Sequence, residues 1–203
     1  MSNSFITNKD KFLSDIINGI LPKTNAVDFL VGYFYYSGYK ELSEQLKDKR
    51  IRILIGLDIE IHITKHICEV ENFRQQLQSR GVLKEEYYAQ FIKAFNDTDF
   101  LDTEEKIGQF KMFYSKILDG SLEIRKTLEP CHSKMYLFAY SDIINEGGEN
   151  PGVLITGSSN LSYQGLKGRL ELNARFNDKI EYDEGKVIFE ELWKDAVVIA
   201  DKN

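Results

Sequence analysis

The stretch VDFLVGYFYYSGYKELSEQLKDKRIRILIGL, residues 27–57, decides the fold. Val27 to Tyr36 is dominated by β-branched, aliphatic and aromatic side chains, the composition of a strand buried on both faces. Ser37-Gly38 ends that run and opens a helix through Leu46, after which Ile51 to Leu57 is a second buried strand. Strand, helix, strand in this order makes a parallel pair joined by a crossover, and hence an α/β sheet rather than a sandwich.

Working outward, Lys9 to Ile20 carries Phe12, Ile16, Ile17 and Ile20 at helical spacing, with Pro22 just beyond as a stop signal. From about residue 64 to 118 the pattern is helical, with Phe73, Leu77, Phe91, Ile92 and Phe95 at helical intervals and no strand-like alternation, and reads as a helical insertion between strands. Short strands are expected at Leu122 to Lys126, Lys134 to Tyr140, Gly152 to Thr156 and Leu170 to Phe176, with the turn-rich Asn145 to Pro151 between the second and third. Asp183 to Trp193 reads as a terminal amphipathic helix. Without an internal repeat or a low-complexity linker, residues 1–203 are expected to form a single domain.

Composition narrows the function classes. A 203-residue chain with 42% hydrophobic content suits one domain with a sizeable core. No apolar run approaches the ~18 residues of a membrane span, and the polar start, Met1 to Asp10, is unlike a signal peptide, so a cytoplasmic location is expected. Two cysteines, Cys68 and Cys131, are too few and too far apart for a disulfide framework or a zinc ligand set, and read as reduced core thiols. The formal net charge of −6 argues against a surface that coats nucleic acid by long-range attraction. The acidic stretches Asp97 to Glu105 and Glu181 to Glu191 leave room for a local basic groove elsewhere.

The chemistry concentrates in three short segments. His132-Ser133-Lys134 opens a strand, so the two-residue side-chain period turns His132 and Lys134 to the same face, where both can meet one phosphate. Gly157-Ser158-Ser159-Asn160 follows directly on another strand, the glycine permitting a close turn and the Ser and Asn side chains offering donors to anionic oxygens. Glu171 begins the next strand, and a carboxylate near an imidazole can fix its tautomer and stabilise the imidazolium. Taken alone, His132 would read as a core histidine.

Together these residues resemble the phospholipase D superfamily, whose pattern is H-x-K, an Asp, then G-S-x-N, with a Glu at a characteristic interval. His132, Lys134, Gly157, Ser158, Asn160 and Glu171 fall on that pattern. The resemblance implies a mixed, largely parallel central sheet flanked by helices. It further implies a phosphodiesterase that needs no metal or cofactor: His132 attacks phosphorus to give a phosphohistidine, Lys134, Ser158 and Asn160 bind the phosphate, and Glu171 orients a histidine. One departure is visible, for Ala139 stands where the family has its Asp, and Asp142 lies three residues later in what reads as a turn.

The N-terminal stretch from Phe29 to Leu42, with Ile51 to Leu57, is similar to the phospholipase D-like module preceding the motor in some large bacterial helicases of the restriction and remodelling type. That similarity implies DNA as the substrate and a helicase motor following in the same polypeptide, although this sequence contains no G-x-x-x-x-G-K-[ST] loop. Family members assign protonation of the leaving oxygen to the histidine of a second motif. With one such motif here, a two-fold homodimer placing two copies of His132 across one cleft is expected.

Weaker signals have blander readings beside them. His62 and His66 share i, i+4 spacing near Cys68 and Glu69, but a solvated or capping role outweighs a metal site. Within Tyr33 to Tyr39, the buried part reads as sheet core while Tyr36 and Tyr39 are candidates to line a cleft and stack bases. Lys167 and Arg169 are candidate contacts to a phosphate backbone or else ordinary loop charges. Two other functions compete: a degenerate module kept for dimerisation or DNA docking, and a lipid-headgroup phosphodiesterase, ranked last because no basic amphipathic helix suggests membrane contact.

Overall fold

The computed structural model describes residues 4–59 and 104–201. Within them lie β1 (Phe5–Ile6), α1 (Leu13–Ile20), β2 (Thr24–Phe34), α2 (Tyr36–Leu46), β3 (Arg50–Ile59), α3 (Glu104–Asp119), β4 (Leu122–Lys126), β5 (Met135–Tyr140), β6 (Gly152–Gly157), β7 (Asn173–Phe176), α4 (Lys179–Asp195) and β8 (Val197–Ala200). The strands form an eight-stranded sheet in the order β1-β7-β6-β5-β2-β3-β4-β8.

The β2-α2-β3 unit is the expected parallel crossover, with Val27 opposite Ile51 and Phe29 opposite Ile53. The sheet is mixed and flanked by helices, as expected, but it is not largely parallel. Only β2-β3 and β3-β4 run parallel, whereas β2-β5, β5-β6, β6-β7, β1-β7 and β4-β8 are antiparallel. The reason lies in the connections. The β5-β6 and β6-β7 links carry no crossover helix and return each strand beside its predecessor, which forces antiparallel pairing.

Both faces of the sheet are covered, which explains the near-continuous apolar runs. Phe29, Ile53, Tyr136 and Phe138 pack with Ile17, Tyr39, Leu42 and Phe113 from α1, α2 and α3. On the other face Leu30, Leu54, Met135, Leu137 and Leu154 meet Tyr182, Phe189 and Trp193 of α4. The exception on that face is Asp28, buried in register with Arg52 on the next strand. Arg52 Nε donates to Asp28 at 2.6 Å and its outer nitrogens reach Glu190 at 2.6 and 3.0 Å. Lys186 completes the network on Asp28, and the Arg52 guanidinium lies 4.8 Å from the Phe189 ring centre. Buried charges are tolerated because each has a partner, and the network pins α4 to the sheet.

Several boundaries differ from the sequence reading: β2 spans Thr24–Phe34 rather than Val27 to Tyr36, and β7 begins at Asn173 rather than Leu170. The first helix begins at Leu13 rather than Lys9, because Asn8 adopts a left-handed conformation (φ 58°) and its Oδ1 accepts the Leu13 N–H at 2.7 Å, capping the helix from upstream. The last helix begins at Lys179 rather than Asp183. The helical reading is met over Glu104–Asp119, while its earlier part, with His62, His66, Cys68 and Glu69, lies outside the described residues. Among the described residues no helix is long and apolar enough to cross a membrane.

Candidate phosphate site

Antiparallel pairing brings four chain segments to one end of the sheet. Leu30 pairs with Met135, so the last residues of β2 lie beside the segment that leads into β5. Met135 pairs with Thr156, and Gly157 with Asn173, which places the end of β6 and the start of β7 at the same end. His132 and Lys134 thus meet Ser158, Asn160 and Glu171 because of strand direction, not sequence proximity.

His132 is exposed, whereas Lys134 is buried at 4% relative accessibility. Lys134 Nζ lies 2.9 Å from His132 Nε2 and donates to the His132 carbonyl at 2.6 Å. An ammonium has only donors, so Nε2 is the acceptor and the imidazole holds its proton on Nδ1. Burial pushes the Lys134 ammonium below the ordinary lysine value, against the opposing fields of Glu171 and Cys131.

The G-S-S-N turn is built by close backbone approach. A side chain at Gly157 would meet the Leu172 carbonyl oxygen at 2.3 Å, so only glycine fits where this turn crosses the start of β7. Ser159 is buried, with its N–H and Oγ held by Asn173 at 3.3 and 2.9 Å and its carbonyl accepting from the Tyr136 hydroxyl at 2.9 Å. Tyr136 is thereby a strut between the H-x-K strand and the turn. Asn160 Oδ1 accepts the Tyr33 N–H at 2.9 Å, a bond that fixes the orientation of the amide.

Ser158 Oγ donates to Glu171 Oε2 and accepts the Leu172 N–H at 3.0 Å. Glu171, expected to begin a strand and orient a histidine, instead precedes β7 and holds the Ser158 hydroxyl within this chain. Lys167 is not brought to the site: its Nζ pairs with Glu41 of α2 at 2.6 Å. Arg169 does line a cleft that runs outward from Asn160 and Glu171. Tyr36 and Tyr39 are buried against Phe113, and burial raises both phenols, so neither lines that cleft; Tyr33 and Tyr35 do.

Three contributors escaped the sequence reading. Gly32 abuts the site so closely that an added side chain would sit 3.0 Å from His132 Cδ2 and 3.3 Å from Asn160 Oδ1. A lone glycine inside a strand pattern is the signal that would have flagged it. Tyr33 acts through its peptide N–H and through an edge-on ring 6.2 Å from the His132 ring. Tyr136 acts through its buried hydroxyl, which no sequence pattern distinguishes from core packing.

An exposed imidazole whose Nε2 is held by a buried ammonium, with a carboxamide beside it, gathered at the mouth of a mixed sheet, can hold a tetrahedral oxyanion once the ammonium turns to it. This is the class of the phospholipase D-like phosphodiesterases. The family model described as "Cardiolipin synthase, PLD-like domain" matches residues 45–193, and the chain belongs to that phospholipase D-like family.

Solved structures share the fold. Nuc from Salmonella typhimurium, a phospholipase D family member, aligns with a TM-score of 0.50 at 10% identity, covering 96% of this chain and 95% of that one. NucT from Helicobacter pylori gives a TM-score of 0.50 at 12% identity, covering 96% and 97%. Phosphatidylserine synthase from Haemophilus influenzae Rd KW20 also gives 0.50, at 13% identity, but this chain spans only 38% of its length. No curated protein matches the sequence.

Proposed function

We propose that this chain is a metal-independent phosphodiesterase that cleaves DNA through a phosphohistidine at His132. The observation that carries the reading is the contact between Lys134 Nζ and His132 Nε2, which keeps an exposed imidazole nitrogen unprotonated beside a buried cation. When a phosphodiester enters, its nonbridging oxygens draw the ammonium from Nε2, and the freed lone pair faces phosphorus. The Asn160 amide supplies further donors to the same oxygens, and the Ser158 hydroxyl joins them by turning its single proton from Glu171 to the phosphate, stabilising charge as the transition state forms.

The Nε2–P bond forms while the P–O bond to the leaving group breaks, and the departing oxygen takes a proton from an imidazolium. This chain has one motif, so that acid is the His132 of a second copy in a two-fold homodimer, which takes up a proton at Nε2 once its own Lys134 has turned to the substrate phosphate. Water then attacks phosphorus, giving its proton to the second imidazole as the P–N bond breaks. Glu171, through Ser158, holds one donor in place and favours the cationic form of Lys134.

Replacement of the family's Asp by Ala139 suggests the rival reading of a degenerate docking module, but the position of Ala139 favours the enzyme. It lies five residues along β5 from Lys134, about 17 Å away at the rise of a strand, and packs on the α4 side of the sheet. Its loss removes no group from the phosphate site. The choice of DNA, and of a helicase or restriction system with a motor in the same polypeptide, draws on the similarity of residues 29–57 to helicase-linked modules.

Incubation of purified protein with single- and double-stranded DNA in excess chelator tests this. Cleavage that survives chelation and disappears in His132→Ala is expected. Intact DNA with both proteins would overturn the enzymatic reading, and a monomer by sedimentation with full activity would overturn the shared site.

A further inference from the structure

Beside the phosphate site a cleft of about 480 Å³ opens to solvent, walled by Tyr33, Tyr35, Tyr163 and Arg169, with Asn160 and Glu171 at its inner end. Its origin is a seam between the segments that follow β2 and β6. Phe34 and Leu161 form a parallel bridge and are both buried, and the Tyr35 N–H donates to the Leu161 carbonyl at 3.0 Å. Burying Phe34 turns the next residue, Tyr35, outward by the two-residue side-chain period, and Tyr163 opens the helical turn that follows Leu161; the two are 40% and 46% exposed. A π-helical turn, Gln164–Gly168, forms the far wall, a rare element common at functional sites.

The chemistry of the walls selects the occupant. None of the side chains lining the cleft among the described residues is aliphatic, so it offers no trough for an acyl chain. Three tyrosines supply aromatic faces, Gln164 and Ser162 supply donors and acceptors, and Arg169 carries no ion pair among the described residues. Aromatic rings interleaved with an unpaired guanidinium suit a nucleobase and its flanking phosphate.

We propose that this cleft is a base-stacking subsite, so that the substrate is a single strand whose unstacked base lies on Tyr35 and Tyr163 beside the scissile phosphate. The proposal rests on the phosphodiesterase reading above and specifies its substrate. In a duplex the faces of each base are covered by neighbouring pairs, and entry would require extruding it.

Binding is measured by fluorescence anisotropy on the His132→Asn protein, which avoids turnover. The ligands are labelled oligothymidylate, a base-free strand of equal length and charge, and a blunt duplex. Tyr35→Ala with Tyr163→Ala is expected to weaken oligothymidylate binding by at least about tenfold. The double Phe variant, which keeps both rings, should bind like its parent and shows that the loss is of stacking rather than folding. The parent should hold the base-free strand as weakly as the Ala variant holds oligothymidylate.

Equal affinity of parent and Ala variant, or of oligothymidylate and the base-free strand, would overturn the proposal. So would tighter binding of the duplex, or an Ala variant that loses only its affinity for phosphatidylglycerol vesicles. Hydrolysis of oligothymidylate by the protein with His132 intact is read in parallel. If that hydrolysis is absent while base-dependent binding persists, the phosphodiesterase reading falls and the subsite stands; the reverse result removes the subsite alone.

Discussion

Gly32→Ala should damage catalysis while leaving the fold almost untouched. The added methyl would lie 3.0 Å from His132 Cδ2 and 3.3 Å from Asn160 Oδ1. Carbon atoms rest at about 3.5–4.0 Å, so the imidazole must retreat by roughly 0.5–1 Å. His132 is exposed and its ring can make that movement, which limits the loss of stability to about 1 kcal/mol or less. Catalysis is less tolerant, because a misplacement near 1 Å costs on the order of a hundredfold. The Asn160 amide, held by the Tyr33 N–H, is pressed at the same time. The expected result is a ten- to hundredfold fall in kcat, roughly, on a small phosphodiester, with a thermal midpoint within a few degrees of the parent. Activity within twofold of the parent would show that His132 and Asn160 do not act from the positions described.

Because burial lowers the Lys134 ammonium, the alkaline limb of kcat should fall below the ordinary lysine value of 10.5, activity being present below that lowered value and lost as pH rises through it. Lys134→Arg, though slower, should lose the limb within the accessible range, and a limb unchanged in that variant would reject the assignment. Tyr136→Phe removes the buried donor to Ser159 and is expected to cost about 1–1.5 kcal/mol, seen as a fall of a few degrees in thermal unfolding. An unchanged midpoint would mean that the strut carries no energy. Glu190, held down to about 2 chiefly by its hydrogen bonds to Arg52, contributes stability that is present above about 4.5 and lost as pH falls through its folded value. Its side chain is 46% exposed, so screening reduces the effect to about 1 kcal/mol. Glu190→Gln should flatten the acid dependence of the thermal midpoint, and identical acid profiles would exclude this contribution.

How much was legible follows from the range of the forces involved. The β2-α2-β3 unit and the shared face of His132 and Lys134 depend on local side-chain periodicity, so they could be read directly. Strand direction was not legible. The parallel share was overestimated because nothing near Met135 or Gly152 encodes that β5 and β6 return beside their predecessors. The edge strand Phe5–Ile6 exists only because Ala174 and Asn173 offer an open edge far along the chain. The same holds for charges. Lys167 looked available to a phosphate until Glu41, distant in sequence, was placed beside it. Among the tyrosines, the phase error between Tyr33, Tyr35 and Tyr36, Tyr39 arose where strand periodicity passes into helix periodicity, and tertiary packing on Phe113 decided which rings were buried.

The most direct test of the account is a rapid acid-free quench of the protein reacting with a labelled phosphodiester in excess chelator, followed by peptide mass spectrometry. A covalent adduct on the peptide containing His132, stable in alkali, cleaved by acid and missing from His132→Asn, is the predicted result. Full turnover with no adduct on that peptide, or turnover retained by His132→Asn, would contradict it.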